Sequence, residues 1–303
     1  MNGIICIDKP QGFTSFDVIG KLRGILKMRR LGHSGTLDPM ATGVLPVFVG
    51  FATKACGILP DERKAYIAQF RLGQVSDTLD STGTILEEHD ASGVTEAMLR
   101  AVLPQFTGEI DQIPPMYSAV SVDGKRLYEL AREGKVVERK ARRVHVESLA
   151  LTAFHPETGE GTLEIHCGSG VYVRTILHDI GQELGCGAVM TALRRTMSNG
   201  LPIERCVTFE QIQKLAEEGR VEEVLMPISE AFAALPQLHL NAKQTVHYRN
   251  GVKLGLSQLK TQLTGAQQYA VYGEPDGFLG TAAVDGEQNC LRVERNLCAP
   301  KQM

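Results

Sequence analysis

The chain has 303 residues, of which 43% are hydrophobic and 22% charged, a balance that excludes intrinsic disorder and leaves room for one large domain with a smaller companion. Its net charge of −3 excludes a uniformly basic surface. No apolar run reaches the length of a membrane helix and residues 1–20 lack the basic-then-apolar pattern of a signal peptide, so a soluble, cytoplasmic protein is expected.

Residues 4–7 form a short apolar run expected as a buried strand, stopped by Pro10 and Gly12. Thr14 then reads as the cap of a helix over about residues 15–27. Asp17 completes an acidic capping box, and Phe16, Ile19, Leu22 and Leu26 fall at helical spacing. Residues 29–46, RRLGHSGTLDPMATGVLP, are expected as a loop until residue 43, because Gly32, Gly35, Pro39 and Gly43 oppose a regular element. Strands are expected at 44–49 and 65–73, with a polar loop at 76–83. A helix is expected over 95–106, with Met98, Leu99, Val102, Leu103 and Phe106 on one face.

Residues 113–135 combine an extended segment, an Asp-Gly turn and a short helix ending at Gly134. Strands at 143–153 and 162–167, a helix from Tyr172 to Leu184, a short element over 188–196 and a helix over 208–219 follow. Beyond about residue 233, including 237–254, the pattern becomes short strands around glycine turns such as Pro275-Asp276-Gly277. The expected class is α+β, with a large domain at 1–232 and a small β-rich domain at 233–303.

Two local runs stand against the acidic total. Residues 1–30 hold Lys9, Lys21, Arg23, Lys27, Arg29 and Arg30 against Asp8 and Asp17; residues 135–143 hold Lys135, Arg139, Lys140, Arg142 and Arg143 against Glu138. Taken singly, each is the composition of a solvated face. The seven cysteines are scattered without a CxxC pair, which favours buried reduced thiols over a zinc site.

Three polar residues within 29–46 are open to chemistry. Ser34 follows Gly32-His33 as in a nucleophile elbow, but Thr36 stands where the second glycine is required, and Pro39 with Gly43 oppose the helix an elbow needs. A serine hydrolase is therefore an alternative reading, not the first. His33 and Asp38 have metal-ligand chemistry, yet no further His, Asp or Glu lies nearby at a ligand spacing. Asp38 precedes Pro39, a setting in which aspartate commonly organises a turn, and spacing alone leaves it that role.

GHSGTLDPMATGVLP (32–46) is similar to the motif carrying the catalytic aspartate in the TruB family of tRNA pseudouridine synthases. Four more blocks resemble family segments in family order: DKPQGFTSFD (8–17), KAYIAQFRLGQVSDTLDSTG (64–83), QIPPMYSAVSVDGKRLYELAREG (112–134) and EIHCGSGVYVRTILHDIGQELGCGAVMTALRRT (164–196). The resemblance implies a pseudouridine-synthase-type catalytic domain on a mixed, largely antiparallel sheet flanked by helices, with a small β-rich, RNA-binding C-terminal domain. It implies isomerisation of the T-loop uridine at tRNA position 55, with tRNA bound through its T arm and neither a membrane nor an obligate protein partner involved.

By the same resemblance Asp38 is the catalytic carboxylate, Arg174 the cation that pairs with it, and Tyr66 the base-stacking tyrosine, which would also assist removal of the C5 proton. Tyr172 and Leu193 fall at pocket-wall positions, and His33 at that of the histidine filling the space a flipped nucleotide vacates. Lys9, Lys64, Arg142 and Arg143 are expected at phosphates. A carboxylate sealed in by substrate needs a nearby cation to remain ionised, and a base inside a folded loop must be extruded and held by aromatic faces. The isomerisation is neither redox nor hydrolytic, so no cofactor or metal is expected. A non-catalytic RNA-binding module on the same fold is the other alternative.

Overall fold

The structure is a computed structural model that describes residues 1–259 and 267–298; parts of the expected C-terminal domain, 260–266 and 299–303, lie outside the described residues. The chain opens with strand β1 (Gly3–Lys9) and helix α1 (Ser15–Leu26). The capping box forms as expected: Thr14 Oγ1 accepts from Asp17 N at 3.0 Å, and the Asp17 carboxylate accepts from Thr14 N at 2.8 Å. Val18, Ile19, Leu22 and Leu26 are buried, but Phe16 is 66% exposed. In that first turn it is Ser15 that faces inward, because its hydroxyl bonds the backbone of Leu37 at both N and O (2.9 and 3.3 Å).

Strand β2 (Leu31–His33) breaks the expected loop and pairs antiparallel with β3 (Thr42–Val49). Then come β4 (Lys64–Leu72), the hairpin of β5 (Gln74–Ser76) and β6 (Ile85–Glu88), and helix α2 (Glu96–Val102), with a 3-10 turn over Leu103–Phe106. Met98, expected on the apolar face of α2, is exposed, while Leu99 and Leu103 carry the contact with the core. Strand β7 (Gly108–Gln112) precedes a small ribbon, β8 (Ser121–Val122) and β9 (Lys125–Arg126), turning at Asp123-Gly124 into α3 (Leu127–Arg132). Long strands β10 (Arg142–His155) and β11 (Glu160–Cys167) lead to helix α4 (Val173–Glu183).

The expected short element is instead β12 (Ala188–Ser198), eleven residues long and central in the sheet, followed by β13 (Leu201–Pro202). Its length follows from pairing on both sides, antiparallel to β4 and parallel to β3. Helix α5 (Phe209–Glu217) comes next. Among the described residues the main sheet has nine strands, β1-β3-β12-β4-β11-β10-β7 with β2 beside β3 and β13 beside β12. Every neighbour pair except β3–β12 is antiparallel, as the α+β expectation required. Gly43 makes the parallel pair feasible: its φ is 102°, and a β-carbon there would lie 2.1 Å from the Arg195 carbonyl oxygen.

Helices α1 and α5 pack on β1 and β3 through Ile19, Leu22 and Ile212 against Ile5, Ile7 and Val47. Helix α4 packs Ile176, Leu177 and Ile180 with Ala68, Phe70, Leu163 and Ile165 of β4 and β11. Each such fully buried aliphatic chain contributes about 1.5–3 kcal/mol.

The C-terminal part comprises β14 (Gln237–Leu240), α6 (Ala242–Arg249), β15 (Leu254–Gly255), β16 (Gln268–Gly273), β17 (Gly277–Asp285) and β18 (Cys290–Asn296), in a second sheet ordered β14-β16-β17-β18-β15. Helix α6 corrects the expectation of strands throughout 237–254; Asn241 and Gln244 form a capping box that starts it. Leu238, Tyr248, Val271, Leu279 and Leu291 form this sheet's own core, while Ala270 and Leu297 join Ile4, Phe48 and Phe232 to tie it to the main sheet. All seven cysteines are free, four buried and Cys56, Cys206 and Cys298 half-buried. Among the described residues no helix is long and apolar enough to cross a membrane.

Candidate active site

Asp38 lies in the connection between β2 and β3. Its carbonyl accepts from Ala41 N at 3.0 Å, so it does organise the turn before Pro39, and that same turn leaves its side chain free. Ser15 anchors Leu37 from one side, and the Pro39 carbonyl accepts from Gly12 N at 2.8 Å on the other.

Arg174 reaches this carboxylate from the first turn of α4. The Gln112 side chain holds the start of that helix, donating to Tyr172 O (3.1 Å) and accepting from Tyr172 N (2.7 Å). Arg174 is 5% exposed. Its guanidinium grips Asp38 at two points, Nε to Oδ2 at 3.0 Å and Nη2 to Oδ1 at 3.2 Å. Two further N–H groups donate to the carbonyls of Thr78 and Tyr117, both at 2.8 Å. The cation therefore has no freedom to leave.

A second carboxylate stands behind the pair. Asp80, in the segment read from sequence as a polar loop, is buried with its Oδ2 3.6 Å from Arg174 Nη1. Its Oδ1 accepts from Thr78 Oγ1 (2.8 Å), Thr82 Oγ1 (2.6 Å) and Thr82 N (3.0 Å). An aspartate flanked by threonines two residues away on each side is a sequence signal for such a fixed carboxylate. Arg195 was also missed: buried on β12, it donates to Val44 O and Gly35 O, both at 2.8 Å, and so ties the Asp38 connection to the central strand.

Burial pushes the Asp38 carboxyl above the usual carboxylate range; Arg174 opposes the rise, Asp80 adds to it and Lys9 opposes it. One-third of the side chain (35%) still faces open space. That space is a cleft of about 910 Å³ bordered by His33, Asp38, Asp80, Tyr117 and Arg174, within the size range of ligand sites. A recess of about 250 Å³ adjoins it, lined by Asp38, Lys64, Tyr66, Tyr172, Arg174 and Leu193. Six of the residues singled out in the sequence thus line one recess, and His33 lies in the adjoining cleft.

Tyr66, on β4, is 6% exposed, and burial raises its phenol pKa, so the hydroxyl keeps its proton at neutral pH. His33 has its pKa lowered by burial and by Arg195, which makes it neutral, with a buried Nδ1 that lacks a protein partner. Leu193 is 8% exposed on β12, and Tyr172 is half-buried before α4. Lys64 Nζ donates to Ser169 Oγ at 3.3 Å at the rim of the recess.

Lys9 requires a correction. It is 0% exposed, and its ammonium donates to the carbonyls of Phe13 (2.6 Å), Pro10 (3.0 Å) and Pro39 (3.4 Å). It cannot meet a phosphate from there; it clamps the 10–13 turn to the Asp38 connection. Burial lowers its pKa to about 8, with Asp38 the main opposing influence. Arg142 and Arg143 project from exposed positions on β10, outside the cleft, and Arg143 pairs with Asp111 at 3.3 Å. Ser34 donates its hydroxyl to Asn199 Oδ1 at 3.2 Å, a neutral amide that cannot act as a base, so the serine-hydrolase alternative has no triad here. Among the described residues no group of three His, Cys, Asp or Glu side chains is placed to hold a metal ion.

Comparison with known proteins identifies the family. Residues 23–173 match the model of the TruB family pseudouridylate synthase (N terminal domain), and residues 174–233 that of the tRNA pseudouridylate synthase B C-terminal domain. A Pasteurella multocida protein named tRNA pseudouridine synthase B is 39% identical over 97% of this chain and 95% of its own length. A protein of the same name from Syntrophotalea carbinolica is 46% identical over 79% of this chain and 78% of its own. The crystal structure of a Cbf5-Nop10-Gar1 complex contains a chain of the same fold, with a TM-score of 0.74 and 25% identity, covering 98% of this chain and 85% of that one. The ordered motifs, the sheet and these matches lead to one conclusion: the chain belongs to the TruB family of pseudouridylate synthases.

Proposed function

We propose that this protein isomerises uridine to pseudouridine in tRNA, acting on the T-loop uridine at position 55 with Asp38 as the catalytic carboxylate. The observation that carries this reading is the two-point grip of a buried arginine on a carboxylate that still opens into an aromatic-lined recess. The reaction breaks the N1–C1′ bond, turns the base and joins C5 to C1′; N1 gains a proton and C5 loses one. Asp38 has the chemistry to act as nucleophile toward the sugar or the base, or to remove a sugar proton.

Tyr66 offers its face to the extruded base. Its hydroxyl, protonated at neutral pH, leaves the ring face for stacking, and assistance to C5 proton removal belongs to the same reading. Tyr172 and Leu193 form the walls, and His33, neutral and in the adjoining cleft, fills the space left by the flipped nucleotide. Lys64, at the rim, is suited to a phosphate. The division into a catalytic unit (1–232) and a small RNA-gripping unit (233–303) is part of the same reading, favoured by the separate core of the second sheet.

The test is incubation with an unmodified tRNA transcript and mapping of pseudouridine. One product at the T loop is expected, lost when that uridine is changed to cytidine. Salt-sensitive binding without conversion would instead identify a non-catalytic RNA-binding module.

The reaction should also depend on pH in a set direction. Because the Asp38 pKa is raised, its inactive protonated form persists to higher pH than for a free aspartate. Single-turnover rates are therefore expected to start falling, as the pH is lowered, before a free aspartate would take up its proton, and a profile that bends only at the ordinary carboxylate value of about 4 would contradict this.

A further inference from the structure

The first turn of α1 carries a large aromatic side chain that the core does not use. Phe16 is 66% exposed although it stands three residues before the buried Ile19. It borders the same cleft as Asp38 and His33. Its backbone is held firmly: the Thr14–Asp17 capping box fixes the helix start, and its neighbour Ser15, 2% exposed, bonds the backbone of Leu37, the residue next to Asp38. Phe16 is thus kept in register with the catalytic carboxylate. The Arg23 guanidinium lies 5.7 Å from the ring centroid and is itself tied to the Arg29 carbonyl at 3.2 Å, so a cation backs one face of the ring. The opposite face is left without a protein ring or cation among the described residues.

An exposed phenylalanine gains nothing from water. An aromatic face in a nucleic-acid cleft, by contrast, stacks on a base of any sequence, and a base that loses its neighbour when that neighbour is extruded needs such a surface. We infer that Phe16 is a stacking platform for an RNA base close to the extruded uridine, and so a substrate-positioning residue of this enzyme. The inference rests on the tRNA-modifying reading of the Asp38 site. It requires no proton transfer from Phe16, so its effect belongs to binding and not to the chemical step.

Phe16→Ala should raise KM for unmodified tRNA by roughly 5- to 150-fold, with kcat and melting temperature unchanged, and Phe16→Tyr should restore the wild-type KM. The chain contains no tryptophan, so Phe16→Trp creates a single fluorophore at the proposed contact. Placed together with Asp38→Asn to prevent turnover, that tryptophan should be quenched on titration with tRNA, with saturation at the independently measured Kd. A wild-type KM in Phe16→Ala, or an unquenched tryptophan at saturating tRNA, would overturn the inference while wild-type conversion of the T-loop uridine continued. Failure of the wild-type protein to convert that uridine would instead overturn the underlying reading, whatever the fluorescence shows.

Discussion

Replacing Asp38 by asparagine is expected to abolish pseudouridine formation, on the order of 10⁴-fold or more in single-turnover rate, while tRNA affinity stays near that of the wild type. Asparagine preserves the shape and one acceptor oxygen for Arg174, but an amide neither attacks carbon nor removes a proton under these conditions. Affinity is expected to survive because the residues proposed to meet phosphates and bases are other than Asp38. Stability should not suffer. The folded-state pKa of Asp38 is raised, so between the unfolded and folded values the native state holds more protons than the unfolded one, and stability falls as pH rises through that window. Asparagine keeps an acceptor for Arg174, and Asp80 remains as a counter-charge to that guanidinium, so Asp38→Asn is expected to melt near the wild-type temperature. Turnover near the wild-type rate would remove Asp38 from the chemistry.

Arg174→Gln is the second large effect, and it acts on the fold as well as on the reaction. Asp38 and Asp80 share this one guanidinium, at 3.0 and 3.6 Å. Removing it leaves two nearby carboxylates without their cation and the carbonyls of Thr78 and Tyr117 without their donors. Breaking a buried pair in this way costs about 3–5 kcal/mol. For a chain of this size that corresponds to a fall in melting temperature of roughly 5–8 °C. Adding Asp80→Asn should recover part of the loss by removing one of the stranded charges, and activity should remain absent. Arg174→Lys keeps the charge but not the two-point geometry, so it should fold better than Arg174→Gln and still turn over slowly. If Arg174→Gln melted like the wild type, or if Asp80→Asn brought no recovery, the shared-cation account would fail.

Much of this site was legible before any coordinates. The motif around Asp38, the arginine in Tyr172-Val173-Arg174 and the tyrosine of β4 all stand out by family resemblance, and they line one recess. Other features were not legible. Lys9 has the residue type of a phosphate contact, and only its complete burial among three carbonyls reveals a clamp. Asp80 sits in a stretch whose polarity suits a solvated loop; its segment is instead bridged to Met190 of β12, with Arg174 of α4 beside its carboxylate. Phe16 keeps helical spacing with Ile19, yet the inward position in its turn is taken by Ser15 through a bond to Leu37, twenty-two residues away in sequence.

By itself the sequence determined many of the local elements, though not β2, the length of β12 or α6: alternation marked β4, capping residues started α1, and Asp-Gly or Gly-rich turns ended strands. These rules work because backbone geometry repeats every 2 or 3.6 residues, and a cap is a contact made within one turn. Only the tertiary structure decided which charges met. Asp38 and Arg174 are 136 positions apart, and their pairing, the raised Asp38 pKa and the cleft beside them arise where β2, β3 and α4 converge. The physical reason is that burial and electrostatic environment belong to everything packed around a group, and no window along the chain contains those neighbours.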